Sequence, residues 1–480
     1  MKRIPPYNVP VSRSGRRAWP GRLPLSANWR RRLRPLFLRE TQVLFLCGLV
    51  VGVGAGLGAI LFRELINGCT FFFFQVPGPW LEHLLGRAAV IVIPALGGLI
   101  IGPLIFFFAR EARGHGVPEV MLAVARKGGR IRPIVAAVKS LASAICIGSG
   151  GSVGREGPIV QIGSAPGSSF GQLFRMSQAH IRILVACEAA GGIAATFNAP
   201  IAGVFFALEL ILGEFSTRAF GVVVIASVPA AVIGRLAFGN VPAFPLPSSQ
   251  IFRLGELPLY ALLGILGAGV GIAFTRTLYF FEDRFDAIRL PEYLKPIPGG
   301  LLLGVVGLFL PQMFGVGYPA MSAALSGHYA SGLLLLLLFA KILAASLTLG
   351  SGGSGGVFTP SLFLGAMLGE AFGSILQSIF PGLAISASAY GFVGMAAVFA
   401  GAARAPITAV IILFEITGDY AGILPLLVAV VMSTAVSEFL ARETIYTLKL
   451  WRRGIDLQAD KALYQLRVEQ AMTTDLLLLS

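Results

Sequence analysis

The sequence predicts an all-α polytopic membrane protein, because it is strongly apolar and its apolar residues come in long runs. Mean hydropathy is +0.80 and 13% of the 480 residues are charged, whereas soluble domains carry about 25% charged residues. The runs are rich in Leu, Ala and Gly and do not alternate with polar residues, which favours helices over a membrane barrel. Runs long enough to cross ~30 Å of hydrocarbon cover residues 41–62, 88–108, 257–273, 331–349 and 422–440.

The charged residues are unevenly placed and predict how the chain lies in the membrane. The net charge is +15, and residues 1–39 contain many Lys and Arg but no acidic residue before Glu40. Basic flanks of a first membrane segment mark the cytoplasmic side. Residues 442–467 are also basic, so we expect both termini in the cytoplasm and a multi-pass protein of the cell membrane. A basic arm that binds nucleic acid is a weaker interpretation, and we expect no nucleic-acid partner.

The chain contains an internal repeat. Residues 139–152 align with residues 341–354, and at the same offset Pro158 aligns with Pro360 and residues 97–98 align with residues 299–300. Near that register, GHGVP at 114–118 aligns with GVGYP at 315–319, and further on Glu209 aligns with Glu415. We therefore divide the chain into a basic segment 1–39, a first transmembrane repeat 40–238, a connection 239–255, a second repeat 256–450 and a cytoplasmic segment 451–480. Repeats with glycine- and proline-interrupted apolar segments are typical of transporters, although the letters alone do not show whether these repeats are inverted.

Three glycine- and proline-rich stretches, at 114–118, 148–158 and 350–360, predict helices that begin inside the membrane. A helix start presents unpaired N–H groups and about half a positive charge. Glycines let an ion come close to that backbone. Three such starts predict an anion site without a full positive charge, which allows the anion to leave again.

Glu156 lies beside these N–H groups, so its carboxylate would compete with an anion for the site. Ionised, it would block the path; protonated or displaced, it would let the anion pass. Acidic residues within a membrane are costly and are candidates for function. The alternative is an acid that only stabilises the start of the following helix.

An enzyme is the competing class. Residues 150–154 and 352–356 both fit the nucleophile-elbow pattern G-x-S-x-G, which would make the protein an intramembrane serine hydrolase. Such a serine needs a histidine base, yet no histidine follows Ser354, and we expect His180 to lie in a polar loop. We therefore predict no enzyme, no catalytic residue, no metal site and no cofactor.

The motifs GREGP at 154–158, GGVFTP at 355–360 and GHGVP at 114–118 resemble the three anion-site signatures of CLC chloride channels and transporters. The resemblance covers about residues 40–450 and both repeats. It implies a CLC-type inverted repeat of many short tilted helices. It also implies a homodimer in which each subunit has its own path for chloride and similar anions.

Carried over by position, the resemblance makes Glu156 the gating glutamate, which takes up protons from outside. Lys139 matches a buried lysine of the family; its alternative is a snorkelling or paired interior charge. For Tyr446, which matches a tyrosine whose hydroxyl binds the central chloride, the alternative is an interfacial aromatic residue. The complete set of expected anion-binding residues is His115, Gly116, Arg155, Gly157, Val357, Phe358 and Tyr446.

Two departures from the family pattern affect the expected mechanism. His115 stands where the family commonly has serine; its ring either donates to the anion, with added charge when protonated, or turns aside. Leu210 stands where proton-coupled members carry an inner glutamate, and Glu209 matches a preceding acid that the family uses mainly for structure. This favours a passive or loosely proton-coupled path, with a Cl⁻/H⁺ antiporter as the alternative. A water wire or Glu209 could still serve as an inner proton relay.

Residues 468–480 resemble the lead-in to a cytoplasmic CBS domain, which many members of the family append. We therefore expect a longer protein to continue into such a domain.

Overall fold

The computed structural model describes residues 40–239, 254–381, 385–418 and 422–457, which are almost entirely helical. The predicted segment 1–39, most of the connection 239–255 and most of the segment 451–480 lie outside the described residues. The helices are α1 Glu40–Gln75, α2 Pro77–Leu85, α3 Ala89–Phe108, α4 Val117–Arg126, α5 Ile134–Gly148, α6 Glu156–Leu173, α7 Gln178–Phe197, α8 Pro200–Phe206, α9 Thr217–Phe238, α10 Leu257–Ala287, α11 Pro296–Phe309, α12 Tyr318–Leu325, α13 Ser331–Gly350, α14 Phe358–Ile379, α15 Ala387–Ala403, α16 Pro406–Thr417, α17 Ile423–Leu440 and α18 Thr447–Arg452. One turn of π-helix, Ala207–Leu212, continues α8.

The helices confirm a polytopic membrane protein. Within the described ranges, seven helical segments are long and apolar enough to cross a membrane. The five apolar runs of the sequence lie in α1, α3, α10, α13 and α17. Leu236 on α9 and Phe439 on α17 are 83% and 88% exposed, which suits contact with lipid rather than with water.

Helices α3 and α11 show that the two repeats are inverted. These helices are counterparts, and they pack antiparallel: a Cβ on Gly98 would lie 2.5 Å from the carbonyl oxygen of Pro296, and one on Gly300 would lie 2.6 Å from that of Pro94. The two contacts are equivalent, because Pro94 aligns with Pro296 in the repeat. When two equivalent helices pack in this reciprocal, antiparallel way, a two-fold axis perpendicular to the helices relates them. Because α3 is long and apolar enough to span the bilayer, the repeats cross it in opposite directions.

The helices that start at the glycine loops 148–158 and 350–360 are largely enclosed by the protein. Helices α6 and α14 are buried along most of their length, and each packs against a second buried helix, α7 and α15 respectively. Their first residues therefore lie inside the protein, where a fixed dipole is screened less than in bulk water.

The structure corrects the predicted place of His180. This residue lies in the first turn of α7 and is buried, not in a polar loop. The Ser177 side chain accepts a hydrogen bond from the His180 backbone N–H and so caps the helix. A serine N-cap is a strong start signal, and the basic residues nearby obscured it in the sequence.

Candidate anion site

Three glycine-rich loops, one before each of α4, α6 and α14, are joined by backbone hydrogen bonds. The Gly114 N–H donates to the Gly353 carbonyl at 3.0 Å, and the Gly355 N–H donates to the Gly114 carbonyl at 3.3 Å. Gly154 and Gly356 exchange two hydrogen bonds, of 2.9 and 2.6 Å. These two glycines are counterparts in the repeat, so the pair lies on the two-fold axis. The three loops that the sequence predicted to converge, two from the first repeat and one from the second, are thus in direct contact.

The three joined loops bring three helix starts into one small region. Helix α4 begins at Val117, α6 at Glu156 and α14 at Phe358, and each start carries unpaired N–H groups and partial positive charge. A Cβ on Gly157 would lie 2.3 Å from the His115 carbonyl oxygen and 2.9 Å from the Gly356 Cα, so only glycine permits this approach. The arrangement suits an anion held by backbone amides.

Glu156 lies within this region. It is 1% exposed, and its Oε1 accepts a hydrogen bond of 3.0 Å from the Tyr318 hydroxyl and lies 3.8 Å from Arg155 Nε. Its Oε2 is buried and has no hydrogen-bond partner among the described residues. A Cβ on Gly154 would lie 2.3 Å from this Oε2, which shows that the carboxylate folds back over the joined loops. The N-cap position of α6 belongs to Arg155, with no side-chain cap, so the geometry favours a competitor for an anion over a capping acid.

The remaining predicted residues of the α6 and α14 starts line the same region. Val357 is the N-cap of α14. The buried Phe358 ring lies 5.4 Å from the Phe197 ring and 4.6 Å from the Phe399 ring, which gives one side of the region an apolar wall. Arg155 extends away from the loops, and its Nη2 lies 3.5 Å from a backbone carbonyl of α7.

His115 and Tyr446 are brought together beside the start of α4, next to Gly116. Their rings are 6.0 Å apart, and both are buried. His115 Nε2 lies 3.3 Å from the hydroxyl oxygen of Tyr279, which itself donates to the Ile445 carbonyl at 2.9 Å. Because a carbonyl only accepts, donor chemistry assigns the Tyr279 proton to it and makes Nε2 the donor to Tyr279. Nδ1 is buried without a partner in the described part of the chain, and it can donate to an anion only when the ring is protonated.

Lys139 is fully buried and holds the loop before α4. Its Nζ donates to the carbonyls of Ala112 and Gly114, at 3.0 and 2.6 Å. Its counterpart Lys341 does the same in the second repeat, where it donates to the Gly315 carbonyl at 3.3 Å. This placement supports a role in shaping the loops.

Glu209 and its counterpart Glu415 cap each other's repeat. The Glu209 carboxylate accepts from the N–H groups of Ile407 and Thr408 at 3.1 and 2.8 Å, and from the Thr408 hydroxyl at 2.6 Å. Glu415 accepts from two N–H groups at the start of α8, at 3.0 and 2.6 Å. All these donors are fixed in place, so Glu209 is engaged as a helix cap. Leu210 beside it is buried and cannot carry a proton.

The sequence reasoning missed two features near Glu156. The first is Tyr318, although its motif was recognised as the repeat of GHGVP and a tyrosine in place of valine was a usable signal. The second is a cavity of about 230 Å³, here called the arginine cavity, whose existence no motif indicates. Its lining includes Arg63, Arg155, Thr196, Asn198, Phe238 and Tyr318.

The geometry argues against the serine hydrolase. Ser152 lies just before the start of α6, whereas His180 is next to Ile181, which contacts Gly171 near the far end of that helix. The 18 residues of α6 correspond to about 27 Å at 1.5 Å per residue. The Ser354 hydroxyl is bonded to a backbone carbonyl and to another serine. Among the described residues, neither serine hydroxyl has a hydrogen bond to a histidine.

The chain is similar to known proteins over most of its length. The family described as "Voltage gated chloride channel" matches residues 97–438. A ClcB-like protein of Ralstonia nicotianae is 31% identical over 86% of this chain and 98% of its own length. The H(+)/Cl(-) exchange transporter ClcA of Vibrio parahaemolyticus is 34% identical over 84% of this chain and 88% of its own length. The crystal structure of a slow cyanobacterial Cl⁻/H⁺ antiporter superposes with a TM-score of 0.79 at 28% identity, over 87% of this chain and 98% of that one. The chain belongs to the CLC family of chloride channels and transporters.

Proposed function

We propose that this protein conducts chloride and similar anions across a membrane, and that Glu156 gates the path. The observation that carries the proposal is the buried Glu156 carboxylate, folded over the loops where three helix starts meet. A carboxylate and a chloride ion compete for the same N–H groups, since both are anions that accept hydrogen bonds. Protonation removes the charge of the carboxylate and weakens its hold, which opens the site to the anion.

The arginine cavity supports an entry route on the side of this gate. Arg155 and Tyr318 line the cavity and also contact Glu156, so an anion in the cavity would be one side chain away from the joined loops. Two guanidinium groups raise the local concentration of anions. In the joined loops the anion would meet backbone dipoles, which bind it less tightly than a full charge would.

Proton coupling in this proposal is loose or absent. Leu210 occupies the position of the inner acid, and Glu209 is engaged as a cap by three donors. The second candidate function is a Cl⁻/H⁺ antiporter. It is favoured by the relatives named H(+)/Cl(-) exchange transporters.

The proposal extends to the assembly and its place in the cell. The CLC resemblance supports a homodimer with one anion path in each subunit. The lipid-suited surfaces of α9 and α17 support a bilayer as surroundings, and the basic residues of 1–39 support termini in the cytoplasm of a cell whose plasma membrane holds the protein.

Chloride efflux from liposomes tests this function. Efflux from vesicles with the wild-type protein should exceed that from empty vesicles and should rise on acidification, while Glu156→Gln should give fast efflux with little dependence on pH. Glu256→Gln is the matched control, because Glu256 is another buried acid that accepts a tyrosine hydroxyl, from Tyr390 at 3.2 Å. Vesicles that stay as tight as empty ones would contradict the proposal. Uphill proton movement driven by a chloride gradient would instead establish the antiporter.

A further inference from the structure

The second-repeat motif GVGYP brings the Tyr318 side chain to the site, and the proposed function assigns this side chain no role of its own. The motif GVGYP at 315–319 starts α12, as GHGVP starts α4. The α4 motif offers backbone to the site, whereas Tyr318 places a hydroxyl 3.0 Å from Glu156 Oε1. An ionised carboxylate only accepts hydrogen bonds, so the hydroxyl is the donor.

The Tyr318 ring is held in a fixed position. Gly317 before it has φ of +92°, and Lys341 Nζ donates to the Gly315 carbonyl at 3.3 Å. The Arg155 guanidinium lies 5.2 Å from the centre of the Tyr318 ring, within the range of a cation–π contact. The backbone before Tyr318 and the Arg155 guanidinium both hold the ring. Its hydroxyl can therefore keep the flexible Glu156 side chain in one place at little entropic cost.

We propose that Tyr318 is a positioning residue for the gate: its hydroxyl holds the Glu156 carboxylate over the anion-binding loops and so sets the acidity at which the path opens. This inference rests on the proposed function, in which Glu156 is the gate. A hydrogen bond donated to a carboxylate favours the ionised form. Loss of the donor should therefore let the gate open with less acid.

The other charged and titratable groups near the gate are few. Helix α1 brings Arg63 to the arginine cavity, and α6 itself brings Arg155. Tyr446, next to α18, has its ring 6.0 Å from that of His115. The loop before α4 brings His115, whose carbonyl contacts Gly157. Tyr318 is the group among these with a hydrogen bond to the carboxylate, so its removal has a distinct expected effect.

The experiment compares chloride efflux as a function of pH for Tyr318→Phe and Tyr390→Phe. Both changes remove a hydroxyl that donates to a buried glutamate, and only the first glutamate is Glu156. Tyr318→Phe should move the midpoint of the efflux curve to higher pH by roughly one to two units, the size expected for a hydrogen bond to a charged group. Tyr390→Phe should leave the midpoint unchanged.

A double variant separates this inference from the proposed function. In a Glu156→Gln background, Tyr318→Phe should add no further shift. An additive shift, or an unchanged midpoint in Tyr318→Phe alone, would overturn the positioning role. If Glu156→Gln itself leaves the pH profile of the wild type intact, the proposed gate is wrong. Should Tyr318→Phe not elute as folded protein, Tyr318→Leu, which also removes the hydroxyl donor, should shift the midpoint in the same direction; no shift would count against the proposal.

Discussion

The reciprocal caps at Glu209 and Glu415 lead to a prediction that separates structure from proton transfer. Replacing Glu209 by alanine leaves three donors without their acceptor, namely the N–H groups of Ile407 and Thr408 and the Thr408 hydroxyl. Replacing it by glutamine keeps one oxygen and turns an amide NH₂ toward one of those donors. Both changes should therefore destabilise the start of α16, and alanine should do so more.

The size of the effect follows from the bonds that are lost. A hydrogen bond to a charged group contributes about 1.5–3 kcal/mol, and loss of a helix cap costs about 0.5–2 kcal/mol. Glu209 is partly exposed, so water replaces some of the lost contacts. We expect Glu209→Ala to lower the free energy of unfolding by about 2–4 kcal/mol, and Glu209→Gln by about 1–2 kcal/mol.

The assay pairs thermal stability with ion flux. Detergent-purified variants are heated, and the fraction that remains folded is measured by size-exclusion chromatography; the proton-to-chloride flux ratio is measured in liposomes. Glu415→Gln is the matched control, because it loses equivalent bonds to Ile201 and Ala202 in the other repeat. Both glutamine variants should lose stability and keep the wild-type flux ratio. A stable Glu209→Gln protein with a changed flux ratio would refute the capping argument.

Three further predictions concern the site. Arg63→Gln should slow chloride efflux at low ionic strength and have little effect at high salt, where the charge of Arg63 is screened; exposed Arg289→Gln is the control, and an effect that is independent of salt would contradict an electrostatic role. Gly157→Ala should abolish efflux, because its Cβ would meet a carbonyl oxygen at 2.3 Å, whereas Gly58→Ala in α1, with nothing within 4 Å, should be tolerated; an active Gly157→Ala protein would show that the helix starts need not touch. In a Glu156→Gln background, chloride binding measured by calorimetry should strengthen on acidification and lose this dependence in His115→Ser, because the ring donates from Nδ1 only when protonated; a dependence that survives His115→Ser would show that the ring is turned aside.

Much of the fold was predictable because it rests on local signals. Long apolar runs specify helices in lipid, where every backbone group must be paired within the chain. Glycine followed by proline specifies where a helix can begin, and the starts at Glu156 and Phe358 were predicted from these letters alone. The repeat also placed the two starts in the same region, since equivalent segments meet at the axis that relates the halves.

The inverted orientation of the repeats was expected from the CLC resemblance and not from local signals, and the contacts of single side chains were not predictable from either. Inversion is a property of packing, visible only when Gly98 and Gly300 each meet the opposite repeat. The hydrogen bond from Tyr318 to Glu156 joins residues 162 positions apart, and no local pattern specifies a partner at that distance. The predicted position of His180 was wrong for a local reason. The Ser177 N-cap signals the start of a helix, whereas the basic residues around it are typical of a polar loop.

Features that occur in both repeats maintain the scaffold. Lys139 and Lys341 each hold a glycine loop by its carbonyls, and Glu209 and Glu415 each cap a helix of the other repeat. Each member of a pair has the same physical task in its own half. A substitution at one member should therefore resemble the same substitution at the other, in stability more than in flux.

The chemistry of the site differs between its two sides at residues that have no equivalent in the other repeat. Glu156 aligns with Phe358, which cannot ionise, and Tyr318 aligns with Val117, which has no donor. Two equivalent acids on the axis would repel each other and would let protons act from both ends of the path. With one acid, and with its hydroxyl partner in the arginine cavity, we expect protons to open the path from the side of that cavity alone. Acidification of the opposite side of the membrane should then leave chloride efflux nearly unchanged, and an equal response from both sides would mean that a second proton route reaches Glu156.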